Sequence, residues 1–282
     1  MSLIEQWLHG RPGSTQAAYA GDCLKYFKFV KFLPLPKHEL GHLQGYQSML
    51  GAQDLGPRTM QRRLRSLKSL FAFATQQQHI PANIAAALRL PKQSYTLAGR
   101  LMRKNDVAKL LMAARDSPRD LALLTLAYFT GARVSEILAL KWGDFQTRED
   151  ESIQVRLYAT KNGKYRSVRL PYQVWQVVAQ LWDDKEKATG AKADKFVFQG
   201  RGGKHLGRTA AHDAIKKASA AAGLSTKISM HWLRHAHAKD SLSAGAPIAL
   251  VRDTLGHSSI AITNWYLEAE PDQSSSDFLG FG

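Results

Sequence analysis

Apolar residues recur at helical spacing through most of the chain and alternate at strand spacing in one stretch only. Gln16 to Phe32 predicts a first helix, with Ser14 as its cap and Tyr19, Leu24 and Phe27 facing inward. Pro34 and Pro36 break the chain, and a shorter helix is expected over about His38 to Leu50. Between Thr59 and Ala74, the residues Leu64, Leu67, Phe71 and Ala74 form an inward stripe. Leu90 to Arg103, with Pro91 and an aperiodic polar run, reads as a linker. The division expected is a helical domain over 1–95, a linker over 96–103 and a second domain over 104–282. In that second domain Asn105–Asp116 and Pro118–Thr130 are expected helices, the latter stopped by Gly131 in the left-handed conformation. After Leu140 the period drops to two. Ile153, Val155 and Leu157 alternate, as do Val168 and Leu170, around the turn signal Lys161-Asn162-Gly163. Helical patterns return near Tyr172 and cover most of 208–268, with Phe196–Phe198 a short strand or extended run. The fold class is mainly α with a small antiparallel β-sheet.

Charge changes this picture from a fold to a partner. Thirty-nine Lys and Arg stand against 23 Asp and Glu, a net +16 with pI near 10.0, and a chain this basic usually meets a polyanion. Residues 1–95 hold 12 basic and 4 acidic side chains and the remainder 27 and 19, so each part carries +8. Two basic parts suggest two surfaces on one long anion. Arg58, Arg62 and Arg65, at i, i+4 and i+7, put three guanidiniums along one helix face, which either tracks phosphates or is a solvated basic face. The single cysteine, Cys23, excludes an internal disulfide framework and an all-cysteine zinc site, and a reducing cytoplasm is the expected compartment. No run of eighteen apolar residues and no secretory-type N-terminus is present, so no membrane partner is expected.

Two patterns resemble metal sites and are set aside. His38-Glu39-Leu40-Gly41-His42 has zincin spacing, but Gly41 weakens the helix it needs and no third ligand follows at a recognisable spacing. A helix start with surface histidines is the expectation there. His231, His235 and His237 cluster without a carboxylate or thiol to complete a site. No metal and no cofactor is expected.

The remaining polar residues form a distributed set. Arg133 follows the break at Gly131, Lys161 stands at the hairpin tip, His231 and Arg234 share a helical face, His257 follows Gly256, and Tyr266 comes nine residues later. Each has an ordinary reading alone: Arg133 pairing with Glu136, His257 capping a helix end, Tyr266 as a core aromatic. Together they are what a metal-free phosphoryl transfer requires. A five-coordinate phosphate gains negative charge, arginine forks stabilise it, and a tyrosine whose pKa is ordinarily about 10 attacks with help from neighbouring cations or a base.

The motifs Thr130-Gly131-Ala132-Arg133-Val134-Ser135-Glu136, Lys161-Asn162-Gly163-Lys164-Tyr165-Arg166, His231-Trp232-Leu233-Arg234 and Leu255-Gly256-His257-Ser258-Ser259-Ile260, with Tyr266 beyond, resemble the tyrosine recombinases of the phage integrase family, nearest to the Xer-like bacterial site-specific recombinases. The resemblance covers nearly the whole chain and is sharpest over 125–268. It implies a two-domain C-clamp on DNA, with a core-binding domain and a catalytic domain. It implies Arg133 and Arg234 as the pair holding the scissile phosphate. Lys161 becomes the general acid, with Lys164 as its rival, His231 the general base or orienter, His257 a phosphate donor and Tyr266 the nucleophile. Arg58, Arg62, Arg65, Lys164 and Arg166 are the expected DNA-binding set, and Glu136 and Asp144 are expected to be structural. The implied partners are double-stranded DNA with inverted-repeat core sites and further copies of the chain, as a tetramer on DNA. The apolar end Phe278-Leu279-Gly280-Phe281 is expected to dock in trans. Trp265, before the nucleophile, departs from the aliphatic residue the family pattern leads one to expect. The alternatives are a type IB topoisomerase-like activity and a non-catalytic DNA-binding relative.

Overall fold

The computed structural model describes residues 2–53, 55–91, 101–158, 165–182, 193–257, 259–260 and 263–264. The chain divides into two compact units, Met1–Tyr95 and Thr96–Gly282. Among the described residues no helix is long and apolar enough to cross a membrane.

Among its described residues the first unit has four helices, α1 (Leu3–Leu8), α2 (Gly13–Phe29), α3 (Leu40–Ala52) and α4 (Pro57–Gln76), with short 3-10 turns at Leu35–Lys37 and Ile84–Ala87. Ser2 and Glu5 cap α1 reciprocally. The stripe on α4 faces inward as expected: Leu64, Leu67, Phe71 and Ala74 are fully buried, against Tyr26, Leu43, Tyr46 and Trp7. Arg58, Arg62 and Arg65 lie on the opposite, exposed face.

Four expectations here are corrected. Helix α2 starts at Gly13 behind Pro12, whose carbonyl takes the amides of Thr15 and Gln16, so Ser14 lies inside the helix and caps nothing. It ends at Phe29 because Lys31 and Phe32 adopt positive φ of 52° and 57°. Its buried side is Asp22, Cys23 and Tyr26, and Leu24 is 47% exposed. The Asp22 carboxylate, 2% exposed, forms an ion pair with Arg62 of α4. Tyr19 and Phe27 are half-buried against the core. His38, expected at the surface, is buried before α3 begins. Its Nδ1 meets the Tyr26 hydroxyl at 3.1 Å and its Nε2 meets the Leu33 carbonyl at 2.8 Å. The two histidines of the zincin-like pattern therefore do not share a helix.

The second unit holds α5 (Lys104–Ala113), α6 (Pro118–Thr130), α7 (Val134–Leu138), strands β1 (Phe145–Thr147), β2 (Ile153–Tyr158) and β3 (Tyr165–Leu170), then α8 (Tyr172–Ala179), α9 (Arg208–Ala221), α10 (Met230–Ser243) and α11 (Ile248–Leu255). Helix α6 has the expected bounds. Ser117 caps its start and Gly131, at φ 58°, ends it. Its length is apolar nearly all round, and Ala122, Leu123, Leu124, Leu126 and Ala127 are buried, as befits a helix at the centre of a core. The sheet is antiparallel in the order β1-β2-β3, pairing Val155 with Val168 and Leu157 with Arg166. Ile153, Val155 and Leu157 point inward, as their alternation requires. Phe196 bridges Lys141, and Val197 donates to the Leu140 carbonyl at 2.9 Å, so this segment is the extended run.

Leu67 is fully buried, and truncation to Ala leaves a cavity. Leu67→Ala should cost about 2–5 kcal/mol, read as a lower midpoint in urea denaturation of the full chain. A midpoint equal to that of the unaltered protein would remove Leu67 from the core.

Candidate active site

Two helix ends and the inward face of β3 make the site. Helix α6 stops because Gly131 takes a left-handed turn. A Cβ on Gly131 would lie 2.6 Å from Leu255 Cδ2 and 2.7 Å from His237 Cδ2. Glycine is needed twice over, for the positive φ and for the close approach. Thr130 seals the same turn, donating to the Leu126 carbonyl at 2.5 Å and accepting from the Ala132 amide at 3.2 Å. The chain leaves this turn through Arg133, the N-cap of α7. Helix α11 stops in the same way at Gly256, φ 65°, which delivers His257.

Three arginines from three elements reach the end of α11 on consecutive carbonyls. Arg166 of β3 donates from Nε to the Thr254 carbonyl at 2.5 Å. Arg234 of α10 donates from Nη2 to the Leu255 carbonyl at 2.8 Å and from Nη1 to the Gly131 carbonyl at 2.6 Å. Arg133 approaches the Gly256 carbonyl with Nη2 at 3.5 Å. Arg234 is 2% exposed, and its charge lies at the C-terminal ends of both α6 and α11, where unpaired carbonyls favour a cation.

Glu136, also 2% exposed, holds two of these arginines. Its Oε1 accepts from Arg133 Nη1 at 2.9 Å and Arg166 Nη1 at 3.2 Å, and its Oε2 accepts from Arg166 Nη2 at 2.8 Å and the Arg133 amide at 2.9 Å. Burial alone would raise the carboxyl pKa. The bonds to Arg166 and to the Arg133 amide outweigh it and hold the pKa below its ordinary value. The structural role expected of Glu136 is thus to carry a fixed negative charge beneath two positive ones. Asp144 accepts from the Lys141 amide at 2.8 Å and closes a local turn away from this cluster.

His257 sits just past the turn, its backbone amide bonded to the Arg252 carbonyl and its Nδ1 2.9 Å from Thr263 Oγ1. Burial and the neighbouring charges of Arg234 and Arg133 push its pKa down to about 4. His231 occupies the exposed first turn of α10, one turn before Arg234, edge-on to His235 at 4.4 Å between ring centroids. Arg133, Arg166, Arg234 and His257 are thus gathered at one place, and His231 is near enough to act on the charge of His257. Lys161, Lys164 and Tyr266 lie outside the described residues, as do Trp265 and the apolar end of the chain.

Of the residues expected to meet DNA, Arg166 has a side chain that is 15% exposed, with its nitrogens bonded to Glu136 and to the Thr254 carbonyl. The sequence holds a signal for this. Arg166 has the same parity as Val168 and Leu170 and therefore shares their inward face. His237 stands out in the sequence only as part of a histidine cluster. Its ring packs on Gly131, and burial pushes its pKa to about 4. Among the described residues no cluster of three or more His, Cys, Asp or Glu has the arrangement to hold a metal ion.

A model of the phage integrase family matches residues 100–273. The tyrosine recombinase XerC of Xanthomonas axonopodis pv. citri is 32% identical over 228 residues, spanning 80% of this chain and 72% of that protein. The XerC of Xanthomonas campestris pv. campestris (strain B100) is 33% identical over 216 residues, but the chain spans only 64% of its length. The tyrosine recombinase XerD of Bifidobacterium longum is 29% identical over 299 residues, spanning 98% and 96%. In fold, the XerH site-specific recombinase in its post-cleavage complex with palindromic difH substrate superposes with a TM-score of 0.75 at 22% identity, over 90% of this chain and 76% of that one. A lambda integrase tetramer bound to a Holliday junction gives 0.76 at 18% identity, over 96% and 77%. The chain belongs to the phage integrase family, the tyrosine recombinases, and within it is similar to the Xer proteins.

His237 and His257 carry a titration that checks this electrostatic picture. Each has a folded pKa near 4 against an ordinary 6.5, so the unfolded chain binds the extra protons between those values. Their contribution to stability is fully present above pH 6.5 and is lost as the pH falls towards 4. Urea midpoints measured across this window should fall with pH, and His237→Gln should flatten the slope. A histidine titration near 6.5 by NMR at either position would contradict the burial of that ring.

Proposed function

We propose that the chain is a site-specific recombinase that cuts and rejoins DNA through a phosphotyrosyl intermediate. The Tyr266 oxygen attacks the scissile phosphorus. A bond forms from Tyr266 to the 3′-phosphate, the bond to the 5′-oxygen breaks, and that oxygen leaves as a hydroxyl after taking a proton from Lys161, with Lys164 as the rival donor. A 5′-hydroxyl from the partner duplex then reverses the step. Bond energy is kept in the phosphotyrosine, so neither ATP nor a metal ion enters the balance. Arg133 and Arg234 bind the non-bridging oxygens and offset the charge gained in the five-coordinate state. His257, neutral at pH 7, donates one hydrogen bond to the same phosphate, and His231 takes or orients the tyrosine proton.

The observation that supports this reading is the shared turn. Arg133, Arg234 and His257 come from separate stretches of sequence and meet within one helix end. The relatives named above are recombinases, which favours exchange between duplexes over resealing of the same strand. On DNA four protomers would act together, each covering a half of an inverted repeat, with residues 276–282 passing to a neighbour. The place of work would be the cytoplasm, on the nucleoid.

The test starts from a duplex selected by the protein out of a random-sequence pool and nicked beside the cut site. The unaltered protein should give an SDS-stable covalent adduct, in EDTA as well as in magnesium. Tyr266→Phe should give none while binding the same duplex. Arg133→Ala or Arg234→Ala should lower adduct formation by about 10²-fold or more. An adduct from Tyr266→Phe would remove that residue as nucleophile.

The exposed arginines of α4 carry a second expectation. With Arg58 and Arg65 both changed to Ala, the dependence of log affinity on log salt should become shallower by about 0.9 for each phosphate that is no longer neutralised. An unchanged slope would turn that face to solvent.

A further inference from the structure

We infer that Arg166 is a positioning residue for the cleavage step, the clamp that fixes Arg133 and His257 relative to each other; this rests on the recombinase reading above. Arg133 stands at the start of α7 and His257 just beyond α11, and 123 residues separate the two ends bridged by the long Arg133–Gly256 contact. That contact, at 3.5 Å, is too weak to set their relation. Arg234 ties the backbones at Gly131 and Leu255, and Arg166 adds the connection that reaches the Arg133 side chain. One edge of its guanidinium forms a two-pronged bond to Glu136, which in turn holds the Arg133 side chain and amide. Its Nε holds the Thr254 carbonyl, three residues before His257.

Two further observations belong to the same arrangement. Gly256 leaves room for this side chain, since a Cβ there would lie 3.3 Å from Arg166 Nη1 and 3.5 Å from its Cδ and Cζ. Arg166 is also anchored from below, because it is paired across the sheet with the fully buried Leu157. The planar fork is essential. A lysine carries the same charge but cannot bond both carboxylate oxygens and the Thr254 carbonyl at once.

The consequence is a defect in phosphate stabilisation, separate from the departure of the 5′-oxygen. Arg166→Lys and Arg166→Met are compared with the unaltered protein on the nicked duplex selected above. A matched duplex carries sulfur in place of the departing 5′-oxygen and needs no acid to release it. Both variants should bind the duplex within about twofold of the unaltered protein and form adduct about 10²-fold more slowly, the scale for a misplaced group. The loss should be equal on the sulfur duplex. In Arg166→Lys, whose fold is checked by circular dichroism, the NMR titration of His257 should be displaced from its position in the unaltered protein. Full cleavage by Arg166→Lys overturns the inference, as does an unmoved His257 titration. Recovery on the sulfur duplex also overturns it, placing Arg166 with the leaving-group acid. No adduct from the unaltered protein overturns the recombinase reading and this inference with it. Adduct from the unaltered protein with undiminished variants overturns the inference alone.

Discussion

A carboxylate that is 2% exposed has to be met by positive charge, and the demand made by Glu136 arranges much of what surrounds it. Removing one partner from such a buried pair leaves a charge in low dielectric, a cost of about 3–5 kcal/mol. Glu136 therefore keeps both Arg133 and Arg166 close. It also takes the Arg133 amide, which fixes the backbone at the start of α7 along with the side chain. Local structure and electrostatics are thus one arrangement: the short helix starts where the arginine must be.

The two glycine-terminated helices supply the other half. Helices α6 and α11 end within reach of a single guanidinium, Arg234, and expose carbonyls that a helix interior would have satisfied. A cation buried there is stabilised by both helix ends, so a nearly inaccessible arginine keeps its charge. The histidines respond in the opposite sense. Crowded by these guanidiniums and removed from water, His257 gives up its proton readily and stands beside the arginines as a neutral ring.

Much of this is legible along the chain, where local rules act alone. Pro118 and Gly131 bound α6, alternation marks β2, and the stripe of Leu64, Leu67, Phe71 and Ala74 is inward. Where side-chain placement departs from the pattern, a polar group is used inside the fold. Asp22 is buried beside Cys23 and Tyr26 and paired with Arg62, while Leu24 faces water. His38 is buried because Tyr26 and the Leu33 carbonyl take both of its nitrogens. The charge of Arg166 suggests DNA, while its parity in the strand puts it on the inward face beside Glu136. Pattern rules rank residues by polarity, whereas these three are placed by hydrogen-bond and ion-pair partners outside their own element. Family motifs suggest the gathering of Arg133, Arg234 and His257, but the carbonyl turn that gathers them has no side-chain signature. Lys161 and Tyr266 remain expectations.

That turn has an implication for how the site can vary. A bond to a main-chain carbonyl is indifferent to the side chain above it, so the tether at residue 254 asks nothing of threonine as such. Gly256 is different, since its positive φ strains any larger residue and a Cβ there would crowd the Arg166 guanidinium at 3.3 Å. The heritable information for this junction is therefore concentrated in a few arginines, one glutamate and two glycines. A lineage could rewrite the outer surface of α11 freely, and with it whatever that surface touches, while the reactive geometry beneath is passed on unchanged.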